Sequence, residues 1–218
     1  MKCFVIAMDK EAEPLFNAMK IERDIIYCGK RLITGELYGE RIGAVICGVG
    51  KVNAACGTQI ALDELGANVI INAGVAGGLN RSVKTGEIYA VSAAVQYDFD
   101  LTQLNRTKIG TLDGFEENYL PLAGGNYPLK KLATGDRFND SENDYKLLTE
   151  VLNADIRDME GGAIAQVCIN SGVPCYAFKI ISDVAGNGST TEQYIKNLSV
   201  CFKTFSLELK NIIGAVRG

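Results

Sequence analysis

Carboxylates and glycines follow apolar runs at several places in this sequence. Asp9-Lys10-Glu11 follows the run 3–8 (CFVIAM), and Gly48-Val49-Gly50-Lys51 follows 41–47 (RIGAVIC). Gly74-Val75-Ala76-Gly77-Gly78 follows 69–72 (VIIN), and Gly135-Asp136-Arg137-Phe138 follows 131–134. Asp158-Met159-Glu160-Gly161 sits at the end of a run beginning at 155, and Ser182-Asp183 follows 175–181 (CYAFKII). In open α/β sheets, ligands bind beyond the carboxyl ends of the strands. Glu11, Glu160 and Asp183 are therefore expected to converge with Met159 and Phe138 at one end of one sheet. One acid of such a set can protonate a leaving group, a second can activate water, and a third can hold sugar hydroxyls. Around an apolar, aromatic-lined slot, that chemistry is glycosidic cleavage through an oxocarbenium-like transition state. Singly, each residue has a plainer reading: a carboxylate after a strand caps a helix, and glycine makes a turn. A lone phenylalanine is core.

The elements that must position these residues alternate in type. A strand over 3–8 leads to a helix from Asp9, a candidate cap, through about Lys20, with Pro14 near its first turn. Two β segments, 31–37 and 41–47, precede an Ala-rich helix over about 52–65 that Gly66 stops. Strands are expected at 69–72 and 87–95, and 96–129 reads mostly as loop. A strand over 131–134, a helix over 141–151, a strand over 155–159 and a helix over 161–171 come next. The strand 175–181 and a last helix over about 191–214 complete the chain. Continuous apolar strands alternating with amphipathic helices imply a mostly parallel sheet covered on both faces. The early antiparallel segments make that sheet mixed. Neither repeat nor linker interrupts residues 1–218, which read as one domain.

Composition narrows the chemistry. There is no histidine, which removes the Ser-His-Asp triad, the Cys-His dyad and the commonest zinc ligand together. Acid–base work falls to carboxylate, lysine, tyrosine or cysteine. The seven cysteines form no C-x-x-C pair and read as small buried hydrophobes in a reducing compartment. A net charge of −4 argues against a nucleic-acid binder. No apolar stretch approaches a membrane span, and the N-terminus lacks a signal-peptide pattern. A cytoplasmic protein is expected. Asp98 and Asp100 stand near the distance of a dinucleotide-site acid, but G-V-A-G-G lacks the G-x-G-x-x-G spacing. Neither metal nor cofactor is expected.

Five motifs occur in an order that resembles the methylthioadenosine/S-adenosylhomocysteine nucleosidase branch of the nucleoside phosphorylase superfamily. They are Gly48-Val49-Gly50-Lys51-Val52, Asn72 to Gly78, Gly135 to Phe138, Asp158 to Gly161, and Ile181-Ser182-Asp183. The resemblance runs from Ala7-Met8-Asp9-Lys10-Glu11 to the last helix. It implies a three-layer α/β/α fold around a mixed, partly closed sheet, and a homodimer whose partner contributes to the pocket. It implies Asp183 as the acid protonating purine N7 and Glu11 as the carboxylate activating water. Glu160 and Met159 would hold the ribose, Phe138 would stack on the base, and Asn139 would meet the base edge. Val49 would wall the 5′-substituent pocket. Val75, Ser182 and Lys179 complete the expected substrate-binding set. Adenine leaves poorly as an anion, so its protonation is the step to catalyse.

Three positions depart from the family pattern. Val75 stands for a serine or threonine, Lys179 for an arginine, and Asp158 for a glutamate. They leave the nucleoside less defined than the reaction. Water is the expected attacking group, because no arginine precedes 74–78 to hold phosphate. A phosphate-dependent purine or uridine phosphorylase, a futalosine-type hydrolase and a non-catalytic nucleoside binder on the same fold are the alternatives.

Overall fold

The computed structural model describes residues 1–138 and 141–217. The buried apolar stretch Lys2–Ile6 forms β1, and α1 runs Asp9–Ala18. The strands β2 Lys20–Tyr27, β3 Lys30–Leu37 and β4 Glu40–Ile46 form an antiparallel meander. Next come α2 Lys51–Leu65, β5 Val69–Gly78, β6 Ile88–Gln96 and the short α3 Thr102–Asn105. The strands β7 Leu120–Pro121 and β8 Leu129–Thr134 lead to α4 Glu142–Lys146, which continues as a π-helical turn over Leu147–Val151. The chain ends with β9 Ile156–Asp158, α5 Gly161–Asn170, β10 Cys175–Val184 and α6 Thr190–Ala215.

The sheet is mixed and partly closed, as expected. Pairings β5–β10, β10–β6, β6–β8, β8–β9 and β9–β5 close a ring, and β1, β4, β3 and β2 extend from β5. Helices cover both faces. Leu15 of α1 and Phe205 and Leu209 of α6 pack with Phe4 and Ile71 on one face. Ala54 and Ala61 of α2 and Ile164 of α5 pack with Val5 and Ile70 on the other. This is the three-layer α/β/α architecture.

Central β5 positions the site. One of its edges pairs with β10 from Ile70 to Gly78. The other pairs with β1 over Val69–Asn72 and with β9 only at Gly77 and Gly78. Between those two neighbours the edge is open. Such a change of partner is where open α/β sheets place their ligand crevices.

Several boundaries differ from expectation. The first strand stops at Ile6, and Met8, not Asp9, is the cap residue of α1, without a side-chain cap bond. Asp9 instead pairs with Arg31 at 2.7 Å. The helix ends at Ala18, and 20–27 forms β2, an edge strand exposed on both faces and so without an apolar alternation to read. The glycine cluster 74–78 is strand, not turn: Gly74, Gly77 and Gly78 are absent from the positive-φ glycines. Glycine there removes side chains; it does not bend the chain. The strand 175–181 likewise continues through Ser182 and Asp183, and Ser189 caps α6, accepting from Glu192 N. Five cysteines are buried, but Cys28 and Cys56 are exposed.

Candidate active site

One cavity of about 350 Å³ opens above the divergence of β1 and β9 from β5. All three predicted carboxylates, Glu11, Glu160 and Asp183, line it. So do Val49, Val75, Phe138, Met159 and Ser182. Asn139 lies outside the described residues. Lys179 is buried beside the cavity floor and does not line it.

Glu11 comes from the first turn of α1. Its Oε1 accepts a 2.9 Å hydrogen bond from Val75 N, the amide on the open edge of β5. Burial pushes its pKa up, against the pull of that amide and of Lys179. A buried carboxylate with a raised pKa is a stronger base than one in water.

Glu160 follows β9 at the entry to α5. Its Oε1 accepts from Gly50 N at 2.9 Å. Gly50 has φ 97° and ψ 161°, a conformation essentially restricted to glycine, and this turns its amide toward the carboxylate. Burial first, then the charge of Asp158, push the Glu160 pKa up to about 7.

Asp183 owes its aim to a bulge. The β5–β10 register shifts between Ile181 and Asp183, so Ser182 is the extra residue and Asp183 sits opposite Gly77. Ser182 Oγ donates to Asp183 Oδ1 at 2.7 Å, which orients the carboxyl group. A Cβ on Gly77 would lie 2.9 Å from Asp183 Oδ2, so the glycine keeps room for the acid. Glycine at 74 does the same for Glu11, whose Oε1 is 3.0 Å from an ideal Cβ there.

Lys179 and Asp158, two positions expected to depart from the family pattern, are partners. Their buried ion pair is 2.8 Å long. Asp158 also accepts from Thr134 Oγ1 at 2.6 Å and from Gly161 N at 2.8 Å. Burial opposes the charge of Lys179, but Asp158, then Glu160 and Glu11, outweigh it and raise its pKa. The lysine is thus a buried cation acted on by Asp158, Glu160 and Glu11.

Sequence reasoning missed several lining residues. Tyr194 of α6 lines the cavity and packs edge-on against Phe138, with ring centroids 5.4 Å apart. It is half-buried near the start of a long helix, and nothing in the sequence links that turn to the strand ends. Met8 and Arg157 also line the cavity. Arg157 stands next to the recognised Asp158-Met159-Glu160 run, and its charge beside buried Ile156 was the available signal.

Comparison with known proteins gives a consistent result. Residues 2–213 match the family model described as the phosphorylase superfamily. A 5′-methylthioadenosine/S-adenosylhomocysteine nucleosidase of Geobacillus thermodenitrificans is 30% identical over 214 residues, 90% of each chain. An aminodeoxyfutalosine nucleosidase of Campylobacter jejuni is 28% identical over 192 residues, 83% of this chain and 84% of that one. The structure of a 5′-methylthioadenosine/S-adenosylhomocysteine nucleosidase from Colwellia psychrerythraea, in complex with adenine, superposes with a TM-score of 0.89. It is 26% identical and covers 98% of this chain and 95% of its own.

Proposed function

This chain belongs to the phosphorylase superfamily, and on that premise we propose that it hydrolyses the N-glycosidic bond of a 5′-modified adenosine. Its candidate substrates are 5′-methylthioadenosine and S-adenosylhomocysteine, and its products are adenine and the free thioribose. The observation that carries this reading is the meeting of Glu11, Glu160 and Asp183 in one largely apolar cavity.

Asp183 gives its proton to N7 of the base as the C1′–N9 bond breaks. The bonding pair leaves with the base, which departs neutral. Positive charge grows on the ribose, and ionised Glu160 stabilises it while accepting from the 2′- and 3′-hydroxyls. Water adds to C1′ and loses a proton to Glu11, whose Oε1 is anchored on Val75 and whose Oε2 serves as base. Phe138 stacks on the purine, Met159 packs on the ribose, and Val49 walls the 5′ end. Water attack is favoured over phosphate because Lys179, buried beside the cavity, is held by Asp158, and the cavity-lining Arg157 stands over Gly77 with Asp183 while Glu11 stands over Gly74. The wall beside the attacking group is the carboxylate of Glu11.

The working molecule is a cytoplasmic homodimer in this reading. Val49 and Val52, 44% and 81% exposed at the start of α2, are apolar surface for a second copy to cover.

The test is adenine release from 5′-methylthioadenosine in phosphate-free buffer, by wild type and Asp183→Asn. Wild type is expected to turn over without phosphate, and the variant to lose about 100-fold or more. Strictly phosphate-dependent turnover with 5-methylthioribose-1-phosphate as product overturns the hydrolytic step. An Asp183→Asn rate equal to wild type overturns the acid. Tight nucleoside binding without turnover by wild type assigns a binding protein instead.

A further inference from the structure

Gly77 has an arginine on one side and the proposed acid on the other. It pairs antiparallel with Arg157 of β9 and parallel with Asp183 of β10. Residues in register across a sheet project side chains to the same face. Gly77 has none, so its neighbours lean over it from both sides. An ideal Cβ at Gly77 would lie 2.9 Å from Asp183 Oδ2 and 3.3 Å from Arg157 Nε. A carboxylate oxygen and a guanidinium nitrogen thus crowd one point on the cavity wall, and both residues line the same cavity as Phe138.

We propose that Arg157 is a specificity-determining residue that reads position 6 of the purine and admits 6-oxopurine nucleosides alongside 6-aminopurine ones. The inference rests on the reading of the cavity as a purine nucleoside site. Its chemistry follows from donors and acceptors. A 6-amino group donates, and a carboxylate that also serves N7 accepts from it. A 6-oxo group only accepts, so a carboxylate alone leaves O6 facing oxygen. Guanidinium supplies N–H donors at a fixed charge and has no acceptor. With both groups over one glycine, the base edge meets an acceptor and a donor together. Asp183 protonates N7 in either case, and Arg157 takes O6 when it is present.

The experiment compares 5′-methylthioadenosine with 5′-methylthioinosine, following adenine and hypoxanthine release by wild type, Arg157→Lys and Arg157→Met. Wild type is expected to cleave both. Arg157→Met is expected to lower kcat/KM for the inosine compound, relative to the adenosine one, by about 10- to 100-fold, the range for losing a charged hydrogen bond. Arg157→Lys keeps the charge but not the fork, so its ratio should fall between the two. Should Arg157→Met fail to fold, Arg157→Lys carries the same comparison.

The ratio separates base reading from positioning, because Asp183 serves both substrates. Equal losses on both substrates mean that Arg157 only steadies Asp183 or the fold, and that overturns the proposal. So does an unchanged ratio, or a wild type that releases adenine but no hypoxanthine. A wild type that cleaves neither nucleoside overturns the hydrolase reading and this inference with it.

Discussion

Replacing Glu160 by Gln should stabilise the protein at alkaline pH while removing its activity. The carboxyl group is buried and stands near Asp158, and its pKa rises from an ordinary 4.5 to about 7. A raised carboxyl pKa means that the folded state prefers the protonated form. That contribution to stability is fully present below pH 4.5 and is lost as pH rises through 7. At about 1.4 kcal/mol per pH unit, the loss comes to about 3 kcal/mol. Glutamine keeps an oxygen to accept from Gly50 N but carries no charge to bury. The melting temperature of Glu160→Gln, relative to wild type, should therefore climb between pH 5 and pH 8. For a chain of this size about 3 kcal/mol corresponds to roughly 6 to 12 °C. The assay is thermal denaturation of both proteins across that range. A difference that stays constant with pH would refute the reasoning, since Glu160 would then ionise as an exposed glutamate does. In the same range wild-type kcat/KM should show an acid limb near pH 7, because only ionised Glu160 stabilises the charged ribose.

Three further outcomes follow from the geometry. Gly77→Ala should lower kcat by about 100-fold with little change in melting temperature, because the new Cβ displaces the Asp183 carboxyl group without burying anything; a wild-type kcat would show that the acid does not need that space. Lys179→Met leaves Asp158 charged and unpaired in the core, so it should cost about 3 to 5 kcal/mol in denaturant unfolding. A cost under about 1 kcal/mol would mean the pair is not held as described. Gly50→Ala forces a side chain into a conformation that costs about 1 to 3 kcal/mol and brings it against Asp136 Oδ1, 3.0 Å away. Loss of the amide bond to Glu160 should appear mainly as a higher KM, and an unchanged KM would count against that bond's role.

The sequence exposed the site better than its scaffold. Glu11 and Asp183 were legible because each follows an apolar run in a strand parallel to β5, whose ends share one side of the sheet. Glu160 follows β9, which runs antiparallel to β5 and reaches the site because it opposes only Gly77 and Gly78. Their roles needed the ordered motifs, since one acid after one strand looks like a cap. Asp183 turned out to lie within β10, aimed by a one-residue bulge that no hydropathy pattern encodes. The glycines at 74–78 looked like a turn because composition does not separate glycine chosen for φ from glycine chosen for the missing Cβ. Strand β2 was invisible because both of its faces meet solvent, and the Lys179–Asp158 pair because its partners are 21 residues apart.

The double pairing of β5 also bears on synthesis of the chain. Its edge from Ile70 to Gly78 is completed only by β10, the last strand made. About 100 residues separate the two, which at translation speeds of about 5 to 20 residues per second is roughly 5 to 20 s. Throughout that interval an apolar strand edge has no partner, and such an edge invites pairing with another chain. The strand that carries the pocket is therefore also a point of misassembly in the nascent protein, and completion of the pocket and protection of that edge arrive in the same docking event.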